Sequence, residues 1–405
     1  MLMERGISLE RAISFVQSEK KNLSLESIHL DNAYGRILAK SLESKVDDPR
    51  FHNSAMDGWA VREEDCLENK KTILKIVGVS EAGSNKNFQI GAKEACKIMT
   101  GAPIPLGADA IVMIEDSEID NNNVIISGPA RKTYIRRKGE NISKDEEILS
   151  RGHFMDASSI SLAATMGYEY IEVFCKPVVG VISTGNELVM PGKELNESQI
   201  YESNSFGIAA LIKSVGGESI RYETVSDSLD KLRDTLNQAS EDCDLILTSG
   251  GVSMGDFDFV RKLMELEGEI YFWKIKMRPG GPPLFGKWNK TPILGLPGNP
   301  VSSHLVFSML ICPWFTASFE TNENSKPTLG RKVRVKMLNE VKGAPEKLCL
   351  RRIKITNSPD GLVATTHTHQ GSGNIHSMVK HNGFTLLPPD TDGKIGDMID
   401  AFWPN

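Results

Sequence analysis

The chain has 405 residues, too many for one compact core, so it reads as several domains. Apolar residues make up 40% and charged residues 25%, and the net charge of -6 argues against non-specific nucleic-acid binding as the main role. The six cysteines form no Cys-x-x-Cys pair, so neither a zinc knuckle nor a disulfide framework is indicated, and reduced thiols in a cytoplasmic enzyme are expected.

Residues 8–17 have helical periodicity, with Ser8 placed as the N-cap. The opening residues lack the apolar run of a signal peptide, and no apolar stretch reads as long enough to span a bilayer. A glycine- and turn-rich segment of short strands fills roughly 57–147, and 158–166 reads as a helix. Strands are then predicted at 178–183, 218–225, 244–248, 269–276 and 292–296. Helices are predicted between or after them at 204–214, 229–239, 257–267 and 301–315. Strands separated by helices of this size predict a mostly parallel sheet covered on both faces, a three-layer α/β/α domain. Short charged strands at 332–337, 347–355, 362–366 and 383–387 predict a small C-terminal β domain.

In an open α/β sheet the ligand lies outside the carboxyl ends of the strands. The residues following each predicted strand therefore nominate the site. They are Thr184, Gly185 and Glu187; Asp227; Ser249, Gly250, Gly251, Ser253, Asp256 and Asp258; Lys274 and Arg278; and Pro297, Gly298 and Asn299. Glycines let a backbone approach a phosphate, and the acids offer a place for a hard divalent cation. Helix capping explains Asp256 alone, whereas Glu187, Asp227 and Asp258 together point to a shared cation site. Lys274 and Arg278 would neutralise an oxyanion. No Gly-Lys-Ser/Thr ending follows the glycines, so a Walker-type nucleoside triphosphatase is not indicated.

The run Thr248–Asp258, with Leu-Pro-Gly-Asn-Pro-Val-Ser at 296–302, resembles the molybdopterin molybdenumtransferase family, which includes bacterial MoeA and the E domain of gephyrin. Further matching motifs are Asn-Ser-Ala-Met-Asp-Gly-Trp-Ala at 53–60, Met-Thr-Gly-Ala-Pro-Ile-Pro at 99–105, Gly-Ala-Asp-Ala at 107–110, Gly-Glu-Asn at 139–141 and Ile-Tyr-Glu-Ser-Asn at 200–204. The resemblance implies insertion of molybdate into adenylylated molybdopterin, with Mg2+-dependent cleavage of the pyrophosphate link and release of AMP. It implies an elongated homodimer of four-domain subunits. Those domains fall at 1–50 with 146–176 (linker and dimerisation), 51–145 (β-rich, inserted), 177–326 (molybdopterin-binding α/β) and 327–405 (C-terminal, β-barrel-like).

The family's functional positions fall on Asp57, Thr100, Glu187, Asp227, Asp258, Lys274, Arg351 and Ser372, with Asp57 and Thr100 expected to reach the site from a partner subunit. Glu187, Asp227 and Asp258 are the expected metal ligands. A molybdopterin adenylyltransferase and molybdenum-enzyme maturation proteins are the implied partners, with no nucleic acid and no membrane. Two other readings stay open, a molybdopterin-binding scaffold or storage protein and an adenylyltransferase.

Single-residue alternatives also stand. Asp57 and Thr100 suit turns. Arg351 and Arg352 are neighbours on a strand, so at most one should enter the cleft. Trp273 reads as packing, and His367 with His369 as a solvated pair. His52 is the one histidine worth following. Two departures from the family pattern are Gly281, where a lysine is usual, and Asn141, where an aspartate is usual.

Overall fold

The computed structural model describes residues 3–66, 70–84, 86–252, 258–321, 329–366 and 369–404. By internal packing the chain divides into two compact units. One comprises Met1–Lys40, Arg151–Ala157 and Tyr170–Asn405, and the other Ser41–Ser150 and Ser158–Glu169.

The first unit is built on a seven-stranded sheet. Its strands in chain order are β1 (Glu4–Ile7), β2 (Val178–Ser183), β3 (Glu218–Arg221), β4 (Leu245–Ser249), β5 (Glu269–Ile275), β6 (Leu284–Trp288) and β7 (Thr291–Leu296). Their spatial order is β1-β5-β6-β7-β4-β2-β3. All neighbours run parallel except β6, which is antiparallel to both β5 and β7. The sheet is thus mostly parallel, with two strands, β1 and β6, that the sequence reading did not separate.

The helices are α1 (Leu9–Ser18), α2 (Asn204–Ser214), α3 (Leu229–Asp242), α4 (Phe259–Glu267) and α5 (Pro300–Val306). Ser8 caps α1, its hydroxyl accepting from the Arg11 N–H at 3.2 Å. Period-two alternation sorts the strand residues between two faces. Val179, Val181, Leu245 and Leu247 pack with α1, α2 and α5, while Ile182 and Ile246 pack with α3 and α4. That division makes the three layers.

The helix predicted at 301–315 continues as Pro300–Ser318, with a π-helical turn at Phe307–Ile311. It is long and apolar enough to cross a membrane by length and composition, which corrects the expectation that no such stretch exists. Most of it, 72%, is buried inside the protein as a core helix.

The C-terminal strands close a barrel, made of β8 (Gly330–Met337), β9 (Arg352–Ser358), β10 (Gly361–Thr366), β11 (Gly383–Thr385) and β12 (Met398–Pro404), in the order β8-β10-β9-β11-β12. The strand predicted at 347–355 is two pieces. Leu348–Cys349 pairs with Met277–Arg278, and Arg352 begins β9.

The second unit holds a six-stranded sheet around Gly58–Val61, Glu94–Ile98 and Thr72–Ser80. Gly58 sits where a Cβ would fall 1.9 Å from the Val112 carbonyl oxygen, so only glycine lets those strands approach.

Candidate active site

The chain order of the sheet places a switch point between β2 and β4. From β2 the chain moves outward to β3, then returns past β2 to β4 and continues to the other side. Open α/β sheets bind ligands in a crevice outside the strand ends at such a point, which the loops after β2 and β4 border here. Thr184 and Gly185 form one lip, and Ser249, Gly250 and Gly251 the other. The Thr184 N–H donates to the Ser249 carbonyl at 3.2 Å.

Gly250 has φ 93°, and a Cβ there would fall 3.2 Å from the Thr184 oxygen, so the lips close only over glycine. The Gly250 N–H donates to the Leu296 carbonyl at 3.1 Å, which joins the Pro297-Gly298-Asn299 turn after β7.

One residue outside the nominated set fastens this crevice. The Asn204 amide donates to Ser249 Oγ and to the Gly298 carbonyl, both at 2.7 Å. Its neighbour Glu202 is buried, and its carboxylate accepts from Ser183 Oγ (3.0 Å), Ser205 N–H (2.8 Å) and Ser205 Oγ (2.6 Å). Glu202 thereby caps the start of α2 against the end of β2. Both lie in the Ile-Tyr-Glu-Ser-Asn motif, which was the available signal.

The acids flank the crevice without forming a cage. A Cβ on Gly185 would lie 2.5 Å from Glu187 Oε2, so the Glu187 carboxylate folds back over the lip. Asn186 Oδ1 accepts from the Asp227 N–H at 3.1 Å, tying the Glu187 and Asp227 loops together. Asp258 is buried at the N-cap position of α4 but makes no side-chain capping bond. Among the described residues no group of three His, Cys, Asp or Glu side chains is placed to hold a metal ion. Ser253 and Asp256 lie outside the described residues, as does His367.

Lys274 stands at φ 69°, a left-handed conformation that is uncommon for a side-chain-bearing residue. Its ammonium is held below the ordinary lysine range, first by burial and then by Arg5, Arg261 and Lys347. Trp273 is packing, as expected. Its indole N–H donates to the Val252 carbonyl at 3.0 Å, fixing that residue after the Gly250-Gly251 turn.

Arg278 is exposed, and its carbonyl accepts from the Leu350 N–H at 2.8 Å. A Cβ on Gly281 would lie 3.1 Å from the Met277 carbonyl oxygen. A side chain at this position would need that carbonyl to give by a few tenths of an ångström.

Arg351 and Arg352 divide as the strand geometry requires. Arg352 is buried and donates to the carbonyls of Gly371 (3.0 Å) and His369 (3.3 Å). Arg351 is half-buried. It donates to the Lys342 carbonyl at 2.9 Å and lines a cavity of about 340 Å³ with Asn339, Glu340 and Gln370. The Ser372 carbonyl accepts from the Val301 N–H at 3.2 Å, so Ser372 is seated at the start of α5 beside Asn299. Arg352 holds the loop that leads there.

Asp57 and Thr100 belong to the second unit and are paired. Asp57 Oδ1 accepts from the Thr100 N–H at 2.7 Å and from its hydroxyl at 3.0 Å. His52 Nδ1 accepts from the Lys138 N–H at 3.1 Å, a structural duty. Asn141 donates to Asp48 Oδ2 at 3.0 Å, a bond that an ionised aspartate at this position could not make.

The chain is 34% identical over 364 residues to the molybdopterin molybdenumtransferase of Haemophilus influenzae, covering 89% of each chain. It belongs to the molybdopterin molybdenumtransferase family. The relative from Staphylococcus epidermidis is 30% identical over 401 residues, 98% of this chain and 95% of that one. Residues 7–167 match the MoeA N-terminal region (domain I and II), and residues 180–317 a probable molybdopterin binding domain. Among solved structures, the molybdopterin biosynthesis MoeA protein from Pyrococcus horikosii superposes with TM-score 0.82 at 30% identity, covering 98% of this chain and 99% of that one. Membership accounts for the crevice loops, which carry the motifs by which the family was first suggested.

Proposed function

We propose that this protein is a molybdopterin molybdenumtransferase of molybdenum cofactor biosynthesis. It takes adenylylated molybdopterin and molybdate, breaks the pyrophosphate link, releases AMP and leaves molybdenum on the pterin. The observation that carries this reading is the crevice between β2 and β4. Asn204 fastens its Ser249 lip to the Gly298 turn, and Glu187 and Asp227 lie on the tied loops at the other side.

Magnesium fits the donor set at the level of chemistry. The candidate ligands are carboxylate oxygens only, and magnesium is commonly held by one or two carboxylates together with substrate phosphates and water. Glu187, Asp227 and Asp258 would hold it together with oxygens of the substrate. When bound, the ion would screen the acids from the phosphates and polarise a phosphoryl oxygen.

The chain's own groups do the rest. The glycine turns let the backbone approach the phosphates closely, although the N–H groups of Thr184, Gly185 and Gly250 are already spent on internal bonds. Lys274 and Arg278 donate to the oxyanion and stabilise the charge that AMP carries away. Asp57, held by Thr100, orients water or carries a proton, because an ionised carboxylate repels molybdate.

Asp57 and Thr100 would act from the second subunit of an elongated homodimer in the cytoplasm. An adenylyltransferase would supply the substrate, and maturation proteins would receive the product. The test is AMP release from adenylylated molybdopterin and Mg2+, with and without molybdate. Molybdate-dependent release is expected. Tight binding of the adenylate with no release under molybdate or tungstate would replace the transferase with a storage role.

A further inference from the structure

A cavity of about 740 Å³ lies between α2, α5 and the C-terminal barrel. It begins where the crevice ends, because Asn204 and Pro300, the first residues of α2 and α5, are part of its wall. From Asn204 to Ser214, the last residue of α2, that wall runs about 15 Å at the helical rise per residue. Among the described residues no Asp, Glu, Lys or Arg lines it, and Leu211, Leu305, Phe384 and Phe402 make it apolar and aromatic. Ligand cavities of roughly 300–1,000 Å³ have this make-up, with a few polar groups that fix orientation.

Its polar groups are not equal. Asn382 is spent on Ile355, accepting from its N–H at 2.7 Å and donating to its carbonyl at 3.0 Å. His381 Nδ1 lies 2.7 Å from the Ser377 carbonyl oxygen. His304 differs. Neither of its ring nitrogens has a hydrogen-bond partner among the described residues, and burial alone holds the ring below the ordinary histidine range, in its neutral form. A Cβ on Gly207 would fall 2.7 Å from His304 Nε2, and both residues line the cavity. The side chain that glycine lacks leaves room for a ligand atom at hydrogen-bond distance from that nitrogen. The helix is altered at the same wall. Ser308 belongs to the π-helical turn, and its hydroxyl donates to the His304 carbonyl at 2.9 Å. Such turns are frequent at functional sites.

We infer that this cavity holds a neutral, planar nitrogen heterocycle of the substrate, the pterin or the adenine, hydrogen-bonded to His304 Nε2 over Gly207. This rests on the reading above, that the crevice takes adenylylated molybdopterin. That substrate carries one such ring on each side of its pyrophosphate. A phosphate or molybdate does not suit a wall without cations, whereas a neutral ring does. One nitrogen of a neutral imidazole donates and the other accepts, so His304 serves either a ring N–H or a ring nitrogen. Phe384 and Phe402 supply aromatic surface for a flat ring.

Pterin and adenosine, neither carrying a phosphate, are titrated separately into the full-length protein by calorimetry. At least one should bind the parent. His304→Phe keeps an aromatic ring without its nitrogens, and Gly207→Ala sets a methyl group beside Nε2. Each should weaken the bound ring roughly tenfold, with His304→Gln recovering part of the loss. Weakening of pterin alone assigns the pterin end, and weakening of adenosine alone the adenine end. A parent that binds neither ring overturns the proposal. Parent-like affinity in both His304→Phe and Gly207→Ala also overturns it, as does a loss in His304→Gln as large as in His304→Phe. Unchanged thermal midpoints keep a folding defect from imitating the result. Where a midpoint falls, Leu211→Trp, which fills the cavity from a half-buried position, takes that variant's place. Failure of the transferase reading would show separately, as no AMP release by the parent protein.

Discussion

Asn204 and Ser249 are joined by a 2.7 Å hydrogen bond across 45 residues of chain, and the same amide reaches the Gly298 carbonyl. One lip of the crevice and the turn after β7 thus depend on one side chain. Asn204→Ala should cost about 1–3 kcal/mol of stability by leaving polar partners unpaired. It should also raise KM for the adenylate more than it lowers kcat, because the loops that hold phosphate loosen. Thermal unfolding and steady-state AMP release check the two halves. A parent-like KM would remove Asn204 from substrate binding.

Asp57→Ala removes the acceptor for both Thr100 donors. The loop is exposed, so stability should change by only about 1 kcal/mol. Molybdate-dependent AMP release should fall by roughly two orders of magnitude or more, the usual scale for a positioned acid–base group. Asp57→Asn, which still accepts the Thr100 bonds, separates proton transfer from loop shape. Recovery in Asn would leave a structural role only.

Lys274 combines a strained backbone with a lowered pKa. Its alkaline limb in the pH–activity profile should lie below the ordinary lysine value of 10.5. The sign follows from linkage. Between the folded pKa and 10.5 the unfolded chain binds more protons, so this group's contribution to stability rises with pH over that window while activity falls. Lys274→Gly, at φ 69°, should keep stability within about 1 kcal/mol of the parent and lose activity. Loss of the fold instead would show that the lysine serves the strand and not the site.

Asn141→Asp would set a carboxylate against Asp48, where a 3.0 Å amide bond now stands. Like charges raise one of the two folded-state pKa values above its unfolded value. The variant's stability should therefore match the parent's near pH 3 and fall below it by about 1 kcal/mol as pH rises through that raised pKa. Thermal midpoints measured from pH 3 to pH 7 check this. A midpoint difference that does not change with pH would mean the pair is too well solvated to interact.

The crevice was readable because strand alternation and glycine punctuation are local. Val178–Ser183 and Asn204–Ser214 match the sequence reading residue for residue. Glu4–Ile7 was missed because four residues of mixed polarity carry no periodicity and become a strand only beside β5. Leu284–Trp288 was hidden by Gly286, whose missing Cβ admits the Glu269 carbonyl of β5. The π turn at Phe307–Ile311 left no trace in an unbroken apolar run. Asn204 drew no attention as a site residue because its partners lie on other elements.

The placement of β1 sets an order on assembly. Arg5 leaves the ribosome well before its register partner Trp273, which follows 268 residues later in the chain. At about 5–20 residues per second, β1 waits on the order of tens of seconds for its neighbour. This sheet edge is therefore made long before the strand it pairs with and cannot be closed until late. A fusion placed just ahead of β1 would therefore sit beside a seam that stays open through much of synthesis.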